Sequence, residues 1–439
     1  MMQPFRSFLW RFSDRLIAII AVFLLSLPVQ ANTNTNANAW QTHSIHVAEA
    51  EISWQLLAAS APRKARLLWL PSEYGLLPQE KRLAERLSHR GIESWTVDFY
   101  EALFAAPTPS ALERIPTAWV KTFIDRAAED GVPVWIVAAN RAAKLALQGL
   151  VSRAENGAES APGVILLNPN LYVQTPQPGE AAVYWPQVDA ANLSVSIFQS
   201  ELSPWRWRLA ELGQRLEKGG SDVFIRLLPK VRDRFYFRGD SMGVERQAAL
   251  KLEQQILTAM RLQLPYLSQP RPLLNAEALR AKAAVTEKKA SLSLLPYRGD
   301  QALQLKLFDL QNRLHDLDAL KGKVVLVNFW ASWCPPCVHE MPSMADLKRR
   351  YPARDFEILA VNLGEEARAI DAFKAEHPVN FPILLDQHGE AVKAWKIFAY
   401  PSSYVVDRKG EIRYALFGAT DWMAQDTVQK IDALLNEAP

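Results

Sequence analysis

The sequence predicts an α/β protein made of two blocks, each a largely parallel sheet flanked by helices, joined by a charged linker. Three observations carry this. Short β-branched or aromatic runs alternate with helical stretches of about ten to fifteen residues twice along the chain, over 45–267 and again over 301–439. Residues 268–300, between them, are rich in Ala, Lys, Arg and Pro and show no core pattern. The two cysteines of the chain share one motif, Cys334-Pro335-Pro336-Cys337, directly behind an apolar strand-like run.

Composition narrows the function classes. A chain of 439 residues is too long for one compact core. Its 50 basic and 47 acidic residues leave a net charge of only +3, which gives no electrostatic case for nucleic acid. With two cysteines it is no disulfide-stapled scaffold.

The N-terminus reads as an address. Arg6, Arg11 and Arg15 precede an apolar run over 16–27, and Val29-Gln30-Ala31 supplies small residues at a cleavage site. This predicts a secretory signal peptide over 1–31, followed by a flexible polar tail over 32–44. The run is shorter than the roughly twenty residues that span a bilayer, so an uncleaved anchor is the lesser reading. Export to an oxidising compartment, the periplasm, is therefore expected. There, a lone closely spaced pair of cysteines points to chemistry, because so short a loop restrains little chain entropy.

In the first block, strands are predicted over 66–70, 94–99, 132–138, 163–168, 194–199 and 223–228. Helices are predicted over 78–89 (closed by Gly91), 111–128, 141–153, 205–217 and 244–262. The second block has strands over 324–330, 356–362, 381–385, 402–407 and 412–416.

The motif sits where the 324–330 strand runs into a helix. Cys334 then takes the N-cap position and Pro335 the first helical position, where proline is tolerated. Free backbone N–H groups and the helix dipole favour a thiolate there, and the thiolate is the nucleophile. Cys337, one turn on, is placed to resolve a mixed disulfide formed by Cys334. Other readings fit less well. A zinc site needs four ligands, and a c-type haem site needs His where Val338 stands. A metal such as copper on the CxxC pair remains an alternative.

Around the motif, five stretches resemble the TlpA/ResA-type branch of the thioredoxin family. They are Leu320-Lys321-Gly322-Lys323, the run VNFWASWCPPC, Glu340-Met341-Pro342, Ile358-Leu359-Ala360-Val361-Asn362 and Tyr400-Pro401-Ser402-Ser403. The resemblance implies a thioredoxin fold and protein thiol–disulfide exchange. It implies that Pro401 is a cis-proline facing the cysteines, that Trp333 shields the disulfide, and that Glu340 accepts a proton from Cys337. Thioredoxin's buried acid is replaced by Asn328, and Pro342 is expected to end or kink the first segment of the helix. No cofactor is implied beyond the Cys334–Cys337 disulfide. The implied partners are a protein disulfide substrate and a membrane electron donor such as a DsbD-like protein, with cytochrome c maturation one role open to the family.

The first block more weakly resembles an α/β-hydrolase. Val137-Ala138-Ala139-Asn140-Arg141-Ala142-Ala143 falls where a nucleophile elbow would lie, but Asn140 takes the nucleophile's place and no His lies between Asn140 and the linker's end. A literal match, Gly239-Asp240-Ser241-Met242-Gly243, comes after the sheet is nearly complete and reads as a loop and helix cap. Nine Trp occur over 40–207, as core or as a docking surface, with Trp205 and Trp207 on one helix. The expected whole is a periplasmic disulfide reductase whose first block selects a substrate or partner. The alternatives are a metal-binding exported protein and a hydrolase with a redox accessory.

Overall fold

The computed structural model describes residues 39–173, 182–239, 241–280 and 293–438. The predicted signal peptide over 1–31, most of the tail and the middle of the linker lie outside these residues. Asn38–Pro439 form one compact unit containing two main sheets. Among the described residues, no helix is long and apolar enough to cross a membrane.

The first sheet has eight strands: β1 (Gln41–Val47), β2 (Ala50–Leu57), β3 (Ala65–Leu70), β4 (Ile92–Val97), β5 (Val134–Ala139), β6 (Gly163–Leu167), β7 (Ser194–Leu202) and β8 (Asp222–Arg232). Their spatial order is β1-β2-β4-β3-β5-β6-β7-β8. The β1–β2 hairpin runs antiparallel to β4, and every pair from β4 to β8 is parallel. Strands β3 to β6 are buried along their whole length. A parallel strand covered on both faces needs such an apolar run, and helices supply the cover. Helices α1 (Pro78–Ser88) and α5 (Gly243–Gln263) pack on one face. Helices α2 (Thr117–Ala128), α3 (Ala142–Glu155) and α4 (Leu209–Lys218) pack on the other.

The second sheet runs β14-β13-β12-β15-β16-β9. Strands β12 (Val324–Trp330), β13 (Phe356–Leu363) and β14 (Ile383–Asp386) are parallel. Strands β15 (Ser402–Val406), β16 (Ile412–Phe417) and β9 (Leu295–Pro296) continue it antiparallel. A small hairpin, β10 (Lys306–Phe308) and β11 (Leu314–Asp316), stands apart from the sheet. Helices α6 (Pro335–Arg350) and α7 (Gln425–Asn436) bury Met341, Met344, Ile431 and Leu434 against one face of the sheet.

Four expectations are corrected. The tail does not reach residue 44, because Gln41–Val47 pairs with β2 and His43 stacks on Trp54 at 4.5 Å between ring centroids. The linker stops short of 300: Leu294 is buried and Leu295–Pro296 pair with β16. The helix predicted from Trp205 begins as a 3₁₀ turn, Pro204–Arg208, before α4. Pro342 does not end its helix, which continues to Arg350. One missing N–H weighs less there than the burial of Met341, Met344 and Leu347.

Candidate active site

Strand β12 delivers the motif. Its residues are all buried, and the chain leaves it through Ala331-Ser332-Trp333 into α6. Glu365 ties this short loop down, accepting from the backbone N–H of Ser332 at 2.8 Å and its hydroxyl at 2.5 Å, and from Asn362 Nδ2 at 2.7 Å. Cys334 is the N-cap with extended backbone, and Pro335 and Pro336 fill the first two helical positions. Both prolines are exposed. The two sulfurs form a disulfide, with the Cα atoms 5.3 Å apart. Cys334 is 6% exposed and Cys337 1%, so the first sulfur is the one that solvent or a substrate can reach.

Pro401 follows a cis peptide bond from Tyr400. The Trp333 ring meets Tyr400 edge-on, 5.6 Å between centroids, so Trp333 and the cis-proline loop flank the motif together.

Glu340 lies one turn beyond Cys337 and is 3% exposed. Its carboxylate accepts from Asn328 Nδ2 at 2.8 Å, from the Thr420 backbone N–H at 3.2 Å and from Trp422 Nε1 at 3.2 Å. Burial, the largest influence, pushes its pKa up to about 7 against the lowering effect of those three donors. Asn328 also donates to Ser403 Oγ at 2.9 Å, linking Glu340 to β15 just past the cis-proline. Thr420 and Trp422 escaped sequence reasoning, because they come from a loop eighty residues downstream with no motif of its own.

The first block also reaches this site. A cleft of about 340 Å³ is lined by Trp333, Cys334, Pro335 and Tyr400 on one side and by Pro204 and Trp205 on the other. Neither Asn140 nor Ser241 lines this cleft. Asn140 adopts a left-handed φ of 50° at the turn after β5, and Ser241 Oγ donates to the Arg238 carbonyl at 2.5 Å. The N-cap of α5 is Met242, within the same 239–243 stretch; Glu245 caps it by accepting from its N–H at 2.8 Å.

Comparisons with known proteins fit this geometry. The AhpC/TSA family model matches residues 298–415. Thiol-disulfide oxidoreductase ResA of Geobacillus kaustophilus is 35% identical over 120 residues, 27% of this chain and 69% of that protein. ResA of Bacillus subtilis is 33% identical over 149 residues, 34% of this chain and 81% of that protein. The crystal structure of a putative thiol:disulfide interchange protein DsbE from Chlorobium tepidum is 30% identical, with a TM-score of 0.30, covering 33% of this chain and all of that one. Through its C-terminal third, the chain belongs to the ResA-type thiol-disulfide oxidoreductases, with a thioredoxin-like fold around Cys334 and Cys337.

Proposed function

We propose that the protein reduces disulfides of protein substrates in the periplasm. The carrying observation is the asymmetry of the pair: Cys334 at the helix N-cap and the cleft, Cys337 sealed behind it one turn from a buried acid. In the reducing cycle the Cys334 thiolate attacks a substrate disulfide, forming a mixed disulfide and releasing one substrate thiolate. Cys337 gives its proton to the Glu340 carboxylate and attacks Cys334 Sγ, which closes the Cys334–Cys337 disulfide and frees the second substrate sulfur. Two electrons pass from the cysteine pair to the substrate. A carboxyl with a pKa near 7 suits Glu340 to take up and release that proton at neutral pH. Trp333 and Pro401 hold the approach to Cys334. Resetting the pair takes a dithiol reductant, the role that suits a DsbD-like membrane donor.

The two prolines support the reducing direction. Neither has an N–H to offer the Cys334 sulfur, so the thiolate gains less stabilisation than a helix N-terminus usually gives, and the reduced form is a stronger reductant. A redox titration in dithiothreitol buffers tests this. A midpoint below about −230 mV, beyond the glutaredoxin range, is expected, and a value near −120 mV, as in a strong oxidant, overturns the direction.

For the first block, the strand order, the antiparallel β1–β2 hairpin and the left-handed turn at Asn140 before α3 support an α/β-hydrolase-like scaffold without its triad. His43 and His46 lie on β1 at the sheet's far edge, and His89 follows α1. The block's role is then substrate or partner binding. Ester hydrolysis that survives Cys334→Ser but is lost in Ser241→Ala would overturn this.

A further inference from the structure

We propose that the Pro204–Arg208 turn is a built-in wall of the redox cleft, fixed by Trp207. This wall admits a disulfide carried on a narrow, extended chain and turns away one on the surface of a folded protein. The inference rests on Cys334 being the attacking sulfur.

Three contacts anchor the turn to the loops around the cysteines. The Trp207 ring lies directly on Gly389, where a Cβ would come within 2.3 Å of it. The Lys393 ammonium sits 5.4 Å from the centroid of the same Trp207 ring. The Arg208 guanidinium stacks 4.8 Å from the Phe398 ring centroid, and Tyr172 meets the same ring edge-on at 6.0 Å. Trp, Tyr and Arg packed in this way are the residue types that dominate interface energies.

The anchored turn holds Pro204 and Trp205 in the lining of the cleft that Cys334 also lines. At about 340 Å³ the cleft is near the lower end of the roughly 300–1,000 Å³ that small-molecule sites occupy. An extended strand is narrow enough to enter, since strands lie about 4.8 Å from their neighbours and side chains alternate outward. A folded protein, with sheets about 10 Å apart behind any surface disulfide, would have to displace Trp205 to reach Cys334, a residue that is 6% exposed. An open thioredoxin face would impose no such selection.

The test uses the full-length protein, pre-reduced, and measures the second-order rate constant of its single turnover with two disulfides: a short linear peptide disulfide and a folded protein with one surface disulfide. The native protein is expected to favour the peptide by at least about 100-fold. Trp207→Ala is expected to narrow that ratio at least about tenfold by accelerating the folded substrate, and Trp207→Phe to keep most of the selectivity. Trp205→Ala, which opens the mouth while leaving the Trp207 and Arg208 contacts in place, is expected to narrow the ratio as well, and decides the matter if Trp207→Ala does not fold. Equal rates in the native protein, or ratios unchanged within twofold in the variants, overturn the wall. A native protein that reduces neither substrate overturns the redox reading beneath it.

Discussion

Replacing Glu340 with Gln removes a titrating group from the interior while keeping its shape. The carboxyl has an ordinary pKa of 4.5 and a folded value of about 7. The folded state therefore holds the proton more tightly than the unfolded state. The group's contribution is fully present below pH 4.5 and is lost as pH rises to 7, where the folded state must also ionise. At about 1.4 kcal/mol per unit, the loss is on the order of 3 kcal/mol. Gln keeps acceptors for Thr420 and Trp422, and Asn328 can turn its carbonyl, now without a partner, toward the new amide. Urea denaturation of the oxidised native and Glu340→Gln proteins at pH 5 and pH 8 measures the difference. Between these pH values the native protein should lose about 2.5 kcal/mol more than the variant. Glu80, also pushed up to about 7 by burial, contributes equally to both proteins and cancels. Equal pH slopes would refute the burial of an ionisable Glu340.

Three further predictions follow from the same contacts. Asn328→Asp sets a second carboxyl 2.8 Å from Glu340, so the two should share one proton and titrate in two well-separated steps, visible by infrared spectroscopy of the carboxyl stretch. Arg232→Met strands Glu245, which is fully buried and held by Arg232 Nε and Nη2 at 2.7 Å each; the loss should be about 3–5 kcal/mol of stability by denaturant titration. Asn140→Ala places at φ 50° a residue that adopts the left-handed region less readily than Asn, and should cost about 1 kcal/mol in thermal unfolding with disulfide exchange unchanged.

What the sequence revealed follows from how local each feature is. The cysteine pair, its N-cap placement and Glu340 one turn on were legible because strand, motif and helix are consecutive, and helical spacing sets the rest. Asn328 was visible as a missing acid, but its hydrogen bond to Glu340 needed the fold. Thr420 and Trp422 close over Glu340 from another loop, and no periodicity encodes that approach. The first half of β1, residues 41–44, falls in the predicted tail because β1 is a mostly exposed edge strand, QTHSIHV, without an apolar face to mark it. Trp205 and Trp207 drew notice as aromatic, yet only the packed structure sets them on opposite tasks, one lining the cleft and one lying on Gly389.

The division of labour between the two sulfurs is tested most directly by mass spectrometry of single-cysteine variants incubated with a peptide disulfide. Cys337→Ser should accumulate a stable adduct on Cys334, while Cys334→Ser, left with Cys337, a residue that is 1% exposed, should remain unmodified. Adducts forming equally on both variants, or faster on Cys337, would contradict it.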